Sequence, residues 1–436
     1  MFLCGSAVCP HEVEKRLSMM KSGYNLFTFL YPFGARLLAL FGNHKAKLWV
    51  EGRKHIFSYL QSRFDGNAAP VIWFHCASLG EFEQGRPVME QLKQLYPQYK
   101  LLVTFFSPSG YEIRKNYPAA DTICYLPMDG EKNAQRFLQI VKPSLVLFVK
   151  YEFWYHYLAE INQQKIPLLL ISGLFRKNQP FFKWYGSFHR SMLPCFKQIF
   201  VQTNASLQLL HSVDFNEASL SGDTRFDRVL QTAEHFESLS LIEKFCEDKK
   251  VIVAGSTWTE DDEELDHFVI HHPDIRFIIA PHDISEERLK ECEMLYKHTI
   301  RYSQLENTEL TPNTNTLIID NIGMLSRIYY YATVAYVGGA FGGDGIHNIL
   351  EAAVFAKPVV FGPEHDNFPE TDDLIEAGGA FSVENALELE TVLNSFLSDA
   401  VFCKQAGGAS GEFVKRSAGA TQKVVSYIQE NRLLTN

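Results

Sequence analysis

Cysteine is sparse: eight in 436 residues (Cys4, Cys9, Cys76, Cys124, Cys195, Cys246, Cys292 and Cys403), with no Cys-x-x-Cys pair. This excludes a disulfide framework and a thiolate zinc site, and it fits reduced cysteines buried as small apolar residues in a cytosolic protein. Positive charge is also short, with 41 Lys and Arg against 51 Asp and Glu, a net −10. Nucleic acid is thereby excluded as partner, because counterion release needs a basic face. Both the Walker loop and the Gly-x-Gly-x-x-Gly dinucleotide fingerprint are missing. So are solenoid-length repeats, low-complexity tracts and a secretory signal. His271-His272 has no partner cluster, and no Asp-x-Asp pair offers to hold a nucleotide-bound metal, so neither metal nor cofactor is expected.

Against those absences, Tyr336 to Glu351 stands out as Tyr-Val-Gly-Gly-Ala-Phe-Gly-Gly-Asp-Gly-Ile-His-Asn-Ile-Leu-Glu. An apolar strand, Val334–Val337, runs through five glycines into His347-Asn348, where an apolar helix with an early acid, Glu351, is expected to begin. Backbone N–H groups and a helix dipole would then converge on one spot that suits an anion.

The N-terminus carries an apolar stretch, Tyr24 to Phe41, with one charge (Arg36) and a mid-segment Pro32. Its length is at the lower edge of a membrane span. Lys45, Lys47, Arg53 and Lys54 follow, the placement expected on an anionic, cytoplasmic membrane face. Residues 1–60 are read as a membrane-proximal segment, with a core helix as the alternative.

From residue 70 onward, short apolar runs alternate with helical-period segments, the pattern of parallel sheets covered by helices. Strands are expected at Val71–His75, Leu101–Thr104, Leu145–Val149, Leu168–Ile171 and Ile199–Gln202, with helices at Gln84–Leu95 and Glu131–Val141. The pattern restarts with Val251–Ala254, Phe277–Ala280, Thr316–Ile319, Val334–Val337 and Pro358–Phe361. Two Rossmann-like domains are expected, 61–230 and 231–410, followed by a terminal helix over 411–436 that returns toward the first. Ligands of such sheets bind at the carboxyl ends of the strands, which places the site in a cleft faced by both domains.

Several loops begin where expected strands end. His75-Cys76-Ala77-Ser78-Leu79-Gly80-Glu81 offers a carboxylate beside a turn, able to act as a general base or to complement a helix dipole. Ser107-Pro108-Ser109-Gly110 offers hydroxyls for substrate or for a cap. Lys150-Tyr151-Glu152-Phe153-Trp154 places charge and an indole at a strand end, and Gly255-Ser256-Thr257 suits a phosphate or an N-cap. His282, in Ala280-Pro281-His282, is either a phosphate donor or structural.

Taken in order, these loops resemble the Kdo transferases, bacterial GT-B glycosyltransferases that move 3-deoxy-D-manno-octulosonic acid (Kdo) from CMP-Kdo to a lipid A precursor. The resemblance rests on Ser78-Leu79-Gly80-Glu81, Pro108-Ser109-Gly110, Glu152-Phe153-Trp154, Gly222-Asp223-Thr224-Arg225-Phe226-Asp227 and Gly255-Ser256-Thr257. It continues through Asp320-Asn321-Ile322-Gly323-Met324-Leu325, Val337-Gly338-Gly339, His347-Asn348-Ile349-Leu350-Glu351 and Gly362-Pro363 to Asn367-Phe368. Departures are His282-Asp283 where the family has Arg-His-Pro, Lys150 and Met324 where glutamate is common, and Tyr155 where proline is usual. Arg225 is the candidate replacement for the missing arginine.

The resemblance implies an inverting, metal-independent transfer at the cytoplasmic face of the inner membrane, with Glu81 as base. Donor contacts would come from Arg225, Gly255, Ser256, Thr257, His282, Gly339, His347, Asn348 and Glu351, the last toward ribose hydroxyls. Acceptor contacts would come from Ser78, Gly80, Ser109, Gly110 and Glu152. The bisphosphorylated acceptor is expected to meet Arg86, Arg114, Lys115, Arg176, Lys177 and Lys183, with Phe181-Phe182 and Trp184-Tyr185 as acyl contacts. Alternatives left open are a UDP-sugar enzyme of the same architecture, either an N-acetylhexosamine transferase or a 2-epimerase, and a non-catalytic nucleotide-sugar binding module at the membrane.

Overall fold

The computed structural model describes residues 10–343, 345–366 and 368–435. Cys4, Cys9, Asp344 and Asn367, all part of the sequence reading, lie outside them. The chain divides into two compact units, one of residues 1–224 and 419–436, the other of residues 225–418.

The first unit is an α/β layer structure on a seven-stranded parallel sheet. Its strands are β1 (Val71–Cys76), β2 (Lys100–Phe105), β3 (Thr122–Tyr125), β4 (Pro143–Val149), β5 (Leu168–Gly173), β6 (Gln198–Val201) and β7 (Ala218–Leu220), in the order 3-2-1-4-5-6-7. Side chains alternate across the sheet, as the twofold strand period requires. Trp73, Val146 and Phe148 pack into one face, while Ile72, Phe74, Leu145 and Leu147 pack into the other. Both faces are covered, which explains the near-continuous apolar runs of the sequence.

The second unit repeats this plan with β8 (Val251–Thr257), β9 (Arg276–Pro281), β10 (Thr299–Arg301), β11 (Thr316–Ile318), β12 (Val334–Val337), β13 (Val359–Phe361) and β14 (Ala380–Ser382), ordered 10-11-9-8-12-13-14. Val251 and Val253 enter one core, Ile252 and Ala254 the other. The strands β3, β7, β10 and β14, of three or four residues each, were not expected from the sequence.

Three helices precede the first sheet: α1 (Pro10–Leu40), continuous through Pro32, α2 (His44–Glu51) and α3 (Ile56–Phe64). No helix among the described residues is long and apolar enough to cross a membrane. Tyr24 fastens α1 inward, donating to Asp129 Oδ2 at 2.5 Å. The outward side keeps Phe29 75% and Leu40 84% exposed, so it is not a core helix either.

The expected helix over 411–436 is two helices, Ala400–Ser417 and Ala420–Glu430, broken where Gly419 adopts a left-handed φ of 105°. Glycine takes that conformation without the steric cost of a side chain. Val414 of the first helix belongs to the second unit's core, whereas Val424, Val425 and Ile428 of the second complete the first unit's core.

Candidate active site

In each sheet the strand order reverses at one point, between β1 and β4 in the first unit and between β8 and β12 in the second. Loops leaving neighbouring strands there diverge to opposite faces and open a crevice at the carboxyl ends. The loops holding Glu81 and Glu152 flank the first crevice, and those holding Ser256 and His347 flank the second.

Helix α4 (Leu79–Leu95) begins earlier than the sequence predicted, so Glu81 sits in its first turn. Ser78 N–H donates to Glu81 Oε2 at 3.0 Å, and the Ser78 hydroxyl contacts the same oxygen. The carboxylate is thus held by a capping interaction, yet it remains half-buried and engages Ser78 through one oxygen. Capping and base roles are compatible, since the cap orients the group. Gly80 is helical rather than a turn residue, and a Cβ there would meet nothing closer than Ser78 Oγ at 3.9 Å. Gly110 is constrained, because a Cβ would lie 2.4 Å from the Phe105 ring and 2.9 Å from the Ser78 carbonyl carbon. This packs the Ser109-Gly110 turn against the Ser78 loop. Ser107 caps the helix Pro108–Arg114, accepting from Ser109 N–H at 3.3 Å.

Glu152 is buried and Oε2 accepts from Trp154 Nε1 at 2.5 Å. The same oxygen is 2.9 Å from Nε2 of fully buried His75. On the other side His75 Nδ1 faces the Thr104 hydroxyl at 2.9 Å and carbonyl at 3.2 Å. A carbonyl only accepts, so Nδ1 is the ring nitrogen that donates on that side, while Trp154 Nε1 lies 3.1 Å from Nε2. The sequence reading assigned His75 no role; the available signal was a lone polar residue facing inward on an apolar strand. Beyond Glu152 a cavity of about 580 Å³ is walled by Tyr24, Phe27, Phe153, Phe188 and Met192, with Arg176 at its polar end.

Three of the other expected acceptor cations are neutralised. Arg114 pairs with Glu83 at 2.5 Å, Arg86 with Glu90 at 2.7 Å and Lys115 with Glu112 at 2.8 Å. Phe181 is buried in the core, whereas Trp184 is 85% exposed.

In the second unit, Ser256 at the end of β8 has a left-handed φ of 56°, a strained state for a residue with a side chain. Gly255 permits close packing, since a Cβ would fall 2.1 Å from the Tyr329 hydroxyl. Buried Asp261 ties the two crevice loops together, accepting from Trp258 N–H at 2.9 Å, Gly339 N–H at 2.8 Å and the Tyr336 hydroxyl at 2.7 Å. Burial pushes its carboxyl above the ordinary carboxylate range, partly offset by these donors. Asp261 was not singled out from sequence, because an acid in a helix's first turn reads as a solvated dipole partner.

The helix expected at His347 starts at Leu350 and has only four residues. The N–H groups of Gly339 and His347 are already donated, to Asp261 and to Gly338 O. The anion cradle is therefore less a helix terminus than a set of side chains. Trp258 Nε1 donates to His347 Nε2 at 3.3 Å, and His282 stacks on Trp258 at 4.6 Å and on His347 at 4.5 Å. Asn348 Nδ2 donates to Glu351 Oε1 at 3.1 Å, fixing that acid beside the loop. Arg225, the expected substitute cation, pairs with buried Glu370 at 2.8 Å. Among the described residues no group of three potential metal ligands occurs.

A family model described as 3-deoxy-D-manno-octulosonic-acid transferase (kdotransferase) matches residues 52–228. A 3-deoxy-D-manno-octulosonic acid transferase of Haemophilus influenzae is 26% identical over 388 residues, covering 84% of this chain and 89% of its own. A bifunctional glycosyltransferase/methyltransferase of Fusobacterium nucleatum is 26% identical over 423 residues, 94% of this chain, which spans 62% of that relative's length. Among solved structures, UDP-GlcNAc 2-epimerase from Neisseria meningitidis superposes with a TM-score of 0.60 at 16% identity, covering 83% of this chain and 100% of that one. A glycosyltransferase from Rickettsia africae gives a TM-score of 0.56 at 16% identity, covering 85% and 100%. These two are likenesses of fold, of GT-B type.

Proposed function

Because the chain belongs to the Kdo transferase family and is a glycosyltransferase of it, we propose that it moves Kdo from CMP-Kdo to a lipid A precursor. The acceptor hydroxyl attacks the anomeric carbon of Kdo as its bond to the CMP phosphate oxygen breaks, inverting configuration. Glu81 takes the hydroxyl proton, and CMP departs with the electron pair. The observation that carries this reading is the Ser78–Glu81 contact, which holds one carboxylate oxygen and leaves a half-buried base at the carboxyl end of β1. Base catalysis of this kind contributes about 10²–10⁴-fold.

The departing phosphate is met by the Ser256 turn and by the stack of Trp258, His282 and His347, which stands where an arginine was expected. Preorganised donors at such a point supply roughly 3 kcal/mol each. Glu351 accepts from ribose hydroxyls. No metal enters this scheme, as the sequence has no Asp-x-Asp pair. The acceptor's place is the aromatic cavity beside Glu152, with Arg176 toward its phosphate. The exposed apolar side of α1 lies in the cytoplasmic face of the inner membrane rather than through it.

The test is incubation with CMP-Kdo, generated in situ, and tetra-acylated lipid A precursor, with products read by mass spectrometry. A product heavier by one or more Kdo residues is expected. No Kdo-dependent product, together with thermal protection by UDP and not CMP, overturns the assignment in favour of a UDP-sugar enzyme.

A further inference from the structure

A second cavity of the first unit, about 550 Å³, lies where α1 meets α2, α3 and the helix Glu131–Val141. Arg36, Arg53, Lys54 and Arg136 border it. Among the described residues none of the four has a carboxylate within ion-pair distance. Arg53 is the innermost. Its Nε donates to Leu126 O at 2.9 Å, Nη1 to Trp49 O at 3.2 Å and Nη2 to Phe106 O at 2.8 Å. The guanidinium also lies 4.0 Å from the Trp49 ring centroid and 4.7 Å from that of Tyr125. Carbonyls and ring faces orient a cation without cancelling its charge. Burial pushes Arg53 down to about 9, which leaves it charged at neutral pH.

The Trp49 indole borders the same cavity, and its N–H is buried with no hydrogen-bond partner. An unpartnered buried donor is rare in folded proteins and calls for an explanation. That indole also borders a neighbouring apolar cavity with Tyr31, Leu38 and Phe106, so it is the unpaired cations that call for an anion here. A tetrahedral phosphate suits four cations arriving from three places in the fold, α1, the α2–α3 connection and the helix Glu131–Val141, and the volume exceeds that of a bare ion.

The cavity's place on the helix decides the source. Pro32 and Arg36, one turn apart on α1, border it, while Phe29, Phe33 and Leu37 of the same turns are 75%, 64% and 47% exposed. A lipid whose tails meet that outward side brings its phosphate to Arg36. We propose that this cavity binds the phosphate headgroup of an anionic membrane lipid, which pins α1 at the bilayer surface. The proposal rests on the interfacial seating of α1 given above and is independent of the transfer reaction.

The test is flotation of the full chain with phosphatidylcholine vesicles, alone or mixed with phosphatidylglycerol. Binding to phosphatidylcholine alone reports the seating of α1, and the increment from phosphatidylglycerol reports the cavity, so failure of one is distinguishable from failure of the other. Arg36→Gln with Arg136→Gln should cut that increment roughly tenfold. Lys132→Gln with Lys165→Gln removes the same charge from exposed positions outside the cavity and should cut it far less. Equal losses in the two double variants would overturn the proposal in favour of diffuse attraction. Complete competition by glycerol 3-phosphate at concentrations that leave ionic strength unchanged would overturn the lipid source, because the cavity would then take a free phosphate.

Discussion

Nε2 of His75 lies 2.9 Å from Oε2 of Glu152, with His75 fully buried and Glu152 7% exposed. The pair is locked from both ends, by Thr104 behind the imidazole and by Trp154 at the carboxyl group. A buried pair of this sort is costly to break and nearly neutral to replace whole. Glu152→Leu and His75→Leu should each destabilise the first unit by about 3 kcal/mol, since each strands the other partner. The double variant should recover most of that loss in urea unfolding. Additivity of the two single losses to within about 0.5 kcal/mol would show that the residues are not coupled.

Glu81 serves two purposes that substitution can separate. Glutamine keeps an acceptor for Ser78 N–H but cannot take a proton, so Glu81→Gln should leave stability within about 0.5 kcal/mol of the parent while transfer falls by about 10²–10⁴-fold. Ser78→Ala should instead cost about 1 kcal/mol of stability through the lost cap. Transfer by Glu81→Gln at the parental rate, with CMP affinity unchanged, would remove Glu81 as base.

Two glycines in the loops answer to different constraints. Gly255→Ala forces a Cβ to within 2.1 Å of the Tyr329 hydroxyl, on a ring that is 1% exposed, and overpacking of that kind costs roughly 1–3 kcal/mol. Gly80→Ala meets only Ser78 Oγ, at an ordinary contact of 3.9 Å, and adds a better helix former, so it should stabilise by roughly 0.5–1 kcal/mol. Thermal melts of the two variants moving in the same direction would contradict the packing described here.

Asp261 carries a pH dependence whose sign follows from its burial. Its folded pKa is raised, so the native state holds the proton more tightly than the unfolded chain does. Its contribution to stability is present below the unfolded carboxylate value and is lost as pH rises through the folded one. Asp261→Asn should flatten that part of the profile, seen as a smaller fall in urea midpoint between acid and neutral pH. An unchanged slope in the variant would place the titration elsewhere.

Much of this was legible along the chain because it depends on local pattern. Apolar runs such as Val71–His75 and Val251–Ala254 reported strands buried on both faces, and Glu131–Val141 was predicted with the ends it has. Ser78-Leu79-Gly80-Glu81 identified its loop, although the start of α4 was placed too late because the helix opens on the polar capping residues themselves. The His347 region was misread as a helix terminus, since glycine spacing does not reveal which N–H groups are already donated. Arg225 and Arg114 looked like available cations because Glu370 and Glu83 are remote in sequence.

The sequence alone determined the class of fold and ten of its fourteen strands, since both follow from periodicity and short apolar runs. Only the tertiary structure decided that His75 meets Glu152, that His282 stacks on His347, that Asp261 binds two loops together and that Arg53 is half-buried without a carboxylate. Those facts depend on residues brought together from dozens of positions apart. Charge pairing, burial and protonation are properties of neighbours in space, which no local pattern encodes.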